Sequence, residues 1–252
     1  MNRRDFVLGA ASGAAVTGVL GAVGLARRRK APVATCPPPN ARLSFSQQGE
    51  DLVLYSLLHE YMRLERPTYL DLGAGDPVLS NNTYLLYCTG SRGVLVEPNP
   101  VFDDLLAATR PGDIVVRAGV GVTDAAAADY YVIRGQPALN TFSLGQVEMH
   151  RRGAGHDVVE KVLKMPLIGI NRIIREHMGR PPDLLSIDIE GMDLAVLRTL
   201  DYQHLRPGVI IVETIQGTGV NTDIVGLLTG KGYVIRGGSF INTIFVDPAR
   251  LV

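Results

Sequence analysis

Short apolar runs alternate with amphipathic stretches from Leu43 to the end of the chain. The short runs have the length and composition of buried strands, and the stretches between them place apolar residues at helical spacing. Alternation of this kind predicts a parallel sheet covered by helices. The predicted helices cover residues 50–62, 82–90, 101–110, 167–178, 192–200 and 222–233.

Seven of the apolar runs are predicted to form the core sheet, and residues 128–133 to add a strand outside it. Only a short turn separates the last two core strands, which favours an antiparallel hairpin. The predicted fold class is therefore α/β, with a Rossmann-like, seven-stranded, mostly parallel sheet and an antiparallel closing hairpin. Such sheets bind ligands beyond the carboxyl ends of their strands. The seven runs are residues 68–75, 93–100, 113–121, 184–191, 208–215, 233–238 and 242–248.

Residues 6–26 carry no charge and consist mostly of Ala, Gly, Val and Leu. About 20 such residues span a bilayer as a helix, so the segment predicts an N-terminal hydrophobic helix. Arg3 and Arg4, followed by Phe6, fit the twin-arginine export pattern. Four positive charges at residues 27–30, against two before the segment, favour instead an uncleaved anchor that leaves the following domain inside the cell.

Three parts are therefore predicted along the chain: a signal or anchor segment at residues 1–30, an extended linker at 31–42, and one domain at 43–252. Two locations follow from the N-terminal segment. In the first, the protein is membrane-associated and its domain is cytoplasmic; in the second, the twin-arginine pathway exports it. A buried core helix is a third interpretation of residues 6–26.

The composition fits one globular domain with a sizeable core, since the 252 residues are 46% hydrophobic and carry no net charge. A neutral chain lacks the general basic character of nucleic-acid-binding proteins, so no nucleic-acid partner is predicted. Cys36 and Cys88 are too few for a disulfide framework, and they lack metal-ligand spacing.

The turn after the first predicted strand contains Gly73 and Gly75 but not the third glycine of a dinucleotide fingerprint. Pro77 and Val78 stand in its place. That third glycine lets a helix pack close to the strand and present its N-terminus to a pyrophosphate. The turn is therefore a poor pyrophosphate site.

Acidic residues flank this turn. Asp71 and Asp76 would repel phosphate, but they suit S-adenosylmethionine, which has an ammonium group, a sulfonium cation and no phosphate. Glu97 closes the second strand 24 residues after Gly73, at the spacing of an acid that accepts ribose hydroxyls. The predicted cofactor-binding residues are Asp71, Gly73, Gly75, Asp76, Asn82, Glu97, Gly119 and Val120.

A second pair of acids ends the fourth strand. Asp188 and Glu190 are two residues apart, which on a strand places them on the same face. We predict that one of them acts as a general base or orients the acceptor, meaning the molecule that would receive a methyl group from S-adenosylmethionine. Alternatively, Glu190 only complements the N-terminus of the next helix. No metal site is predicted. Glu213, at the end of the fifth strand, could join this pair around a divalent metal, but the sequence offers no other obvious oxygen ligand to complete the site. Residues 140–157 are predicted to form a loop over the acceptor site.

Five sequence motifs together resemble the FkbM-type methyltransferase family: "SQQGEDLVL", "YLDLGAGDPVLSNNTY", "GVLVEPNP", "RPPDLLSIDIEGMDLAVL" and "INTIFV". The resemblance covers roughly residues 44–246. It implies a class I, S-adenosylmethionine-dependent methyltransferase whose partner is a small-molecule or glycan acceptor methylated on a hydroxyl. Because S-adenosylmethionine is a cytoplasmic metabolite, the resemblance also favours the inward-facing anchor.

Two other functions compete with this one. One is a membrane-tethered binding module that keeps the fold without turnover; the acids at positions 71, 97, 188 and 190 argue against it. The other is an NAD-dependent oxidoreductase, which the missing third glycine disfavours. No oligomeric state is predicted.

Overall fold

The computed structural model of the chain describes residues 42–216 and 218–252. The expected anchor or export signal, and the linker up to residue 41, lie outside this part of the chain. Among the described helices, none has the length and apolar character needed to cross a bilayer.

The strands and helices alternate through most of the described chain, as the apolar pattern predicts. In chain order the strands are β1 (Tyr69–Leu72), β2 (Gly93–Val96), β3 (Ile114–Val116), β4 (Gly119–Gly121), β5 (Ala125–Ile133), β6 (Val159–Gly169), β7 (Leu184–Ile187), β8 (Val209–Glu213), β9 (Ile215–Gln216), β10 (Gly219–Val220), β11 (Val234–Gly238) and β12 (Asn242–Val246). The α-helices are α1 (Glu50–Ser56), α2 (Tyr84–Cys88), α3 (Asp103–Thr109), α4 (Leu144–Ala154), α5 (Ile170–Ile173), α6 (Asp193–Thr199) and α7 (Thr222–Gly230). Helices α1 and α5 continue directly into π-helical turns at Leu57–Tyr61 and Ile174–Met178.

The central sheet has seven strands in the order β11-β12-β8-β7-β1-β2-β3. Strand β12 runs antiparallel to both of its neighbours, and the other pairs in the β8-to-β3 part are parallel. The predicted fold class, including the antiparallel closing hairpin, is confirmed. The strand order reverses between β1 and β7, so a ligand crevice is expected at the carboxyl ends of these two strands.

Both faces of the central sheet are buried at its five inner strands, whereas the edge strands β3 and β11 are partly exposed. Leu70 and Leu72 of β1 belong to one apolar cluster, and Tyr69 belongs to the cluster on the opposite face. Strand β7 is buried at all four positions. This explains why the core strands appear in the sequence as continuous apolar runs without polar alternation.

The prediction of a single strand at residues 113–121 is wrong. Strand β3 joins the central sheet, whereas β4 joins a second sheet of order β4-β6-β5. The predicted strand at 128–133 is confirmed as part of β5. Strand β6 was not predicted, and it takes residues 167–169 from the start of a predicted helix. It escapes a pattern search because it is half-exposed and carries Glu160, Lys161 and Lys164, which interrupt its apolar run.

The prediction of a loop over residues 140–157 is also wrong, because α4 occupies most of that segment. Ser143 caps the helix by accepting a hydrogen bond from the Gln146 N–H, and Gly155 ends it in a left-handed conformation at φ 73°. Val147 is the only buried residue of α4. The apolar face is therefore too narrow to predict a helix from periodicity.

A buried arginine connects the end of α3 to the turn after β1. Arg110 is fully buried and donates from Nε to Asp113 (2.8 Å), from Nη1 to the Asn81 side-chain oxygen (3.1 Å) and from Nη2 to Thr83 Oγ1 (3.0 Å). Thr83 Oγ1 in turn donates to Asp71 at 2.7 Å. The guanidinium thus holds the segment that follows the glycine turn, and it neutralises carboxylates that have no access to water.

We predict that Arg110→Ala lowers the free energy of unfolding by about 3–5 kcal/mol, because it leaves a buried carboxylate without its partner. Urea denaturation of the purified chain measures the change. Arg117→Ala is the matched control: its pair with Asp103 lies at the surface, with the Arg117 side chain 59% exposed, and its removal is expected to change stability by less than about 1 kcal/mol. Equal effects of the two substitutions would contradict the role given to Arg110.

Candidate active site

A cavity of about 600 Å³ lies at the carboxyl ends of β1, β2 and β7. Its wall includes the turns that follow these three strands, and also strand β4. Residues 136–142, between β5 and α4, form another part of the wall. The cavity therefore lies where the reversal of strand order predicts a ligand site.

The two glycines of the turn after β1 line this cavity, and both have left-handed backbones, with φ 81° at Gly73 and 55° at Gly75. A Cβ atom at Gly73 would lie 1.9 Å from the main-chain oxygen of Asp188. No side chain fits there, so Gly73 is what allows the turn after β1 to lie directly against the turn after β7.

Glu97 lies at the end of β2 and faces the same cavity. Its Oε2 accepts a hydrogen bond from the Gly75 N–H at 2.8 Å, and its Oε1 accepts one from the Asn99 N–H at 2.7 Å. The residue is only 5% exposed, and burial raises the pKa of its carboxyl to about 7, against the lowering effect of the two backbone hydrogen bonds. Each carboxylate oxygen retains a lone pair for a ligand.

Two of the predicted cofactor-binding residues do not line the cavity. Asp71 is 4% exposed, accepts the hydrogen bond from Thr83, and has its pKa raised by burial. Asn82 donates to Ser186 Oγ at 3.4 Å. Asp71 instead holds Thr83 in the segment after the glycine turn, and Asn82 links that segment to β7. The structure brings the remaining predicted cofactor-binding residues together at the wall: Gly73, Gly75, Asp76, Glu97, Gly119 and Val120.

Asp188 and Glu190 both line the cavity, but the reason given for their alignment is wrong. Strand β7 ends at Ile187, so the two acids belong to a turn and not to one strand face. Glu190 has φ 51°, a left-handed conformation that is rare for a residue other than glycine. Backbone strain of this kind clusters at functional sites.

The carboxyl groups of this turn have raised pKa values. Burial raises the pKa of Glu190 to about 7, and repulsion from Glu213 and Asp193 adds to the effect. Burial also raises the pKa of Asp188 well above its usual range, and its buried Oδ1 has no hydrogen-bond partner in the described structure. A carboxyl with a pKa near 7 is suited to take up a proton at neutral pH.

Asp193, and not Glu190, stabilises the turn before α6. Its carboxylate accepts hydrogen bonds from the Ile189 N–H (3.1 Å) and the Gly191 N–H (3.2 Å). The Glu190 side chain is therefore not needed for the capping role that competes with a catalytic one.

Several cavity residues were missed by the sequence analysis. Gly119 leaves space for the ring of Phe142, which packs against Tyr130 with ring centroids 4.7 Å apart. Thr141 Oγ1 donates to the Glu190 carbonyl at 2.9 Å, and Asn140 lies beside it at the wall. Asn140, Thr141 and Phe142 lie in a segment with weak apolar periodicity. The predicted position of that segment over the acceptor site was the only sequence signal that pointed to them.

The charge of the wall is one-sided. Four carboxyl groups line the cavity, those of Asp76, Glu97, Asp188 and Glu190, and the described lining residues include no lysine, arginine or histidine. The described part of the chain also holds no cluster of three or more His, Cys, Asp or Glu side chains arranged to bind a metal ion. Such a wall favours a cationic or neutral ligand over an anionic one.

Comparison with known proteins identifies the family. A family model described as the methyltransferase FkbM domain matches residues 71–235. Methyltransferase sdnD of Sordaria araneosa is 33% identical over 75 residues, which cover 26% of this chain and 29% of that protein. The chain thus matches less than a third of this relative's length.

Two solved structures are similar at low identity. The methyltransferase FkbM from Methylobacillus flagellatus KT has 14% identity and a TM-score of 0.40, over 72% of this chain and 44% of that one. A precorrin-6y C5,15-methyltransferase from Geobacter metallireducens GS-15 has 12% identity and a TM-score of 0.44, over 82% of this chain and 92% of that one. The family model covers more than half of the 252 residues, and the chain therefore belongs to the FkbM methyltransferase domain family.

Proposed function

We propose that the protein transfers the methyl group of S-adenosylmethionine to a hydroxyl of a small-molecule or glycan acceptor. One observation carries the proposal: the glycine turn, Glu97 and the acids of the turn after β7 line the same acidic cavity. A methyltransferase needs its methyl donor and its acceptor in one enclosed space, and it needs a proton acceptor when the acceptor is a hydroxyl.

The cavity wall fits this cofactor better than it fits NAD. A pyrophosphate would face four carboxyl groups with no basic side chain among the described lining residues, whereas a sulfonium and an ammonium group are attracted there. Glu97 is held by two backbone N–H groups and retains lone pairs for ribose hydroxyls. Gly73, Gly75, Gly119 and Val120 provide a wall without bulky polar groups.

S-adenosylmethionine supplies, when bound, an activated methyl group on a sulfonium centre that departs as a neutral thioether. The protein's contribution is then alignment and proton removal. Alignment of reacting groups contributes about 7–11 kcal/mol in favourable systems. Glu190 would accept the proton of the acceptor hydroxyl, and Asp188 would orient the acceptor beside it.

The backbone around Glu190 is arranged to hold this base in place. The hydrogen bond from Thr141 Oγ1 reaches the Glu190 carbonyl, and Asp193 accepts from the N–H groups on either side of it. These three bonds stabilise the left-handed conformation at Glu190. A base whose position is fixed before the acceptor arrives requires less reorganisation during the reaction.

The location of the domain is a second part of the proposal. We infer that the segment at residues 6–26 anchors the protein and that the domain faces the cytoplasm. The four positive charges at residues 27–30 support this orientation. The proposed cofactor supports it too, because an exported domain would be separated from the cytoplasmic pool of S-adenosylmethionine.

We predict that Glu190→Gln lowers the rate of methyl transfer by about 10²- to 10⁴-fold. The affinity for S-adenosylmethionine is expected to change little, because the amide keeps the shape of the side chain. The wild-type rate should rise with pH and level off above about 7, since Glu190 acts as a base only when it is ionised and its pKa is about 7. Release of S-adenosylhomocysteine measures the rate.

Glu148→Gln is the control, because Glu148 lies on the exposed face of α4 with its side chain 61% exposed. It should leave both the rate and its pH profile unchanged. An unaltered rate in Glu190→Gln would remove Glu190 from the mechanism.

If the domain faces the cytoplasm as proposed, protease added to intact spheroplasts should leave it undigested. Digestion is expected only after the membrane is permeabilised, which also checks that the domain is cleavable. Loss of the domain in intact spheroplasts, with a cytoplasmic marker preserved, would favour export.

A further inference from the structure

The amide of Asn140 has a hydrogen-bond donor that the described chain does not satisfy. Asn140 lies on the cavity wall and is 7% exposed. Its Oδ1 accepts a hydrogen bond from the Ile133 N–H at 2.8 Å, and because only the oxygen can accept this bond, the orientation of the amide is fixed. The Nδ2 group is buried and has no hydrogen-bond partner in the described structure. Buried donors in native proteins are almost always satisfied, so a ligand group is expected to complete this one.

Tyr130 provides a second polar group at the same place. The residue is 3% exposed and lines the cavity from β5. Its hydroxyl lies beside the Asn140 side chain, without satisfying Nδ2, and close enough to Glu97 and Glu190 to be affected by their charges. Burial raises the pKa of Tyr130 and the charges of Glu97 and Glu190 raise it further, against the lowering effect of a polar interaction with the Asn140 side chain, so the phenol remains protonated at neutral pH.

This donor pair is held firmly beside the proposed base. Thr141, the residue after Asn140, exchanges backbone hydrogen bonds of 2.8 and 3.2 Å with Tyr131 of β5. Its side chain reaches the Glu190 carbonyl at 2.9 Å. The segment that carries the Asn140 amide is thus fixed both to β5 and to the turn of Glu190. The residue after Asn140 is thus bonded to the turn of Glu190, and Tyr130 is close enough to both Glu97 and Glu190 for their charges to raise its pKa.

The charge of the cavity restricts what this pair binds. Two donors call for an oxygen with available lone pairs, such as that of a hydroxyl, a carbonyl or a carboxylate. The four carboxyl groups of the wall, with no basic side chain among the described lining residues, disfavour the carboxylate and equally a phosphate. The ligand oxygen is therefore an uncharged one.

We propose that Asn140 and Tyr130 bind a second, uncharged oxygen of the methyl acceptor, near the hydroxyl that Glu190 deprotonates. The acceptor then carries an uncharged oxygen close to the methylated hydroxyl, which a simple alcohol lacks. This inference rests on the proposed function. An uncharged oxygen of the cofactor, such as a ribose hydroxyl, is the other source for this site, and measurement of the cofactor affinity distinguishes the two.

The test first identifies the acceptor. The full-length protein is incubated with S-adenosylmethionine that carries a trideuterated methyl group and with an extract of the source cells, and labelled products are found by mass spectrometry. Fragmentation then locates the methyl group and the nearest oxygens. The product is expected to contain an uncharged second oxygen close to the methylated one.

Two variants then test the residues on that acceptor. Asn140→Asp keeps the side-chain shape and the oxygen that accepts from Ile133, but it replaces the donor with an acceptor; Tyr130→Phe removes only the hydroxyl. Each should lower kcat/KM for the acceptor by about 10- to 100-fold, as expected for the loss of one hydrogen bond in a buried site. Calorimetry of Tyr130→Phe, which changes no charge, should show an affinity for S-adenosylmethionine within about twofold of the wild type, since the hydroxyl does not contact the cofactor in this proposal.

Matched controls are available for both changes. Asn221 caps α7 by accepting from two backbone N–H groups, a role that aspartate fills equally well, so Asn221→Asp should leave kcat/KM unchanged. Tyr61 is 57% exposed, and Tyr61→Phe should likewise have no effect.

An analogue of the acceptor that lacks the second oxygen gives the sharpest comparison. It should be a poor substrate for the wild type but lose little further activity in Asn140→Asp, because the interaction is then already absent. A tenfold loss of cofactor affinity in Tyr130→Phe would assign the site to the cofactor and overturn the inference. An unchanged kcat/KM in the two variants, or a product without an uncharged second oxygen close to the methylated one, would also overturn the inference. Absence of any labelled product from the wild type would contradict the proposed function itself, and this inference with it.

Discussion

The absence of a side chain at Gly73 allows the two halves of the active site to meet. A Cβ atom there would lie 1.9 Å from the Asp188 main-chain oxygen, so only glycine permits the turn after β1 to lie against the turn after β7. The first turn is predicted to hold the cofactor, and the second carries Asp188 and Glu190. Their contact makes one cavity wall from segments more than a hundred residues apart in sequence, at the reversal of strand order.

The same contact crowds carboxyl groups into a small buried space. The pKa values of Glu97 and Glu190 are about 7, against 4.5 for free glutamate. Between these values the native state holds more protons than the unfolded chain does, so these two groups destabilise the fold progressively as the pH rises from about 4.5 to 7. A cationic ligand offsets this repulsion. The crowded carboxyl groups that favour binding of S-adenosylmethionine are therefore the same groups that lower the stability of the protein without its ligand.

The sequence was sufficient to predict the inner strands of the central sheet, because these strands are buried on both faces and appear as continuous apolar runs. It was also sufficient for most of the cavity wall, since glycines and acids follow those strands directly. It was insufficient for β6 and α4, which are half-exposed and lack a clear apolar period. The positions of Asp71 and Asn140 depend on tertiary contacts. Asp71 accepts a hydrogen bond from Thr83, which in turn accepts one from Arg110, and the Asn140 amide is oriented by the bond that it accepts from the Ile133 N–H.

Calorimetric titration of the purified protein with S-adenosylmethionine at two pH values tests the central claim most directly. Glu97 must be ionised to accept ribose hydroxyls on both oxygens, so with a pKa of about 7 the affinity should be roughly eightfold weaker at pH 6 than at pH 7.5. Glu97→Gln should weaken binding and reduce this pH dependence, and NAD should not bind. Binding of NAD, with no binding of S-adenosylmethionine at concentrations of about 1 mM, would contradict the account.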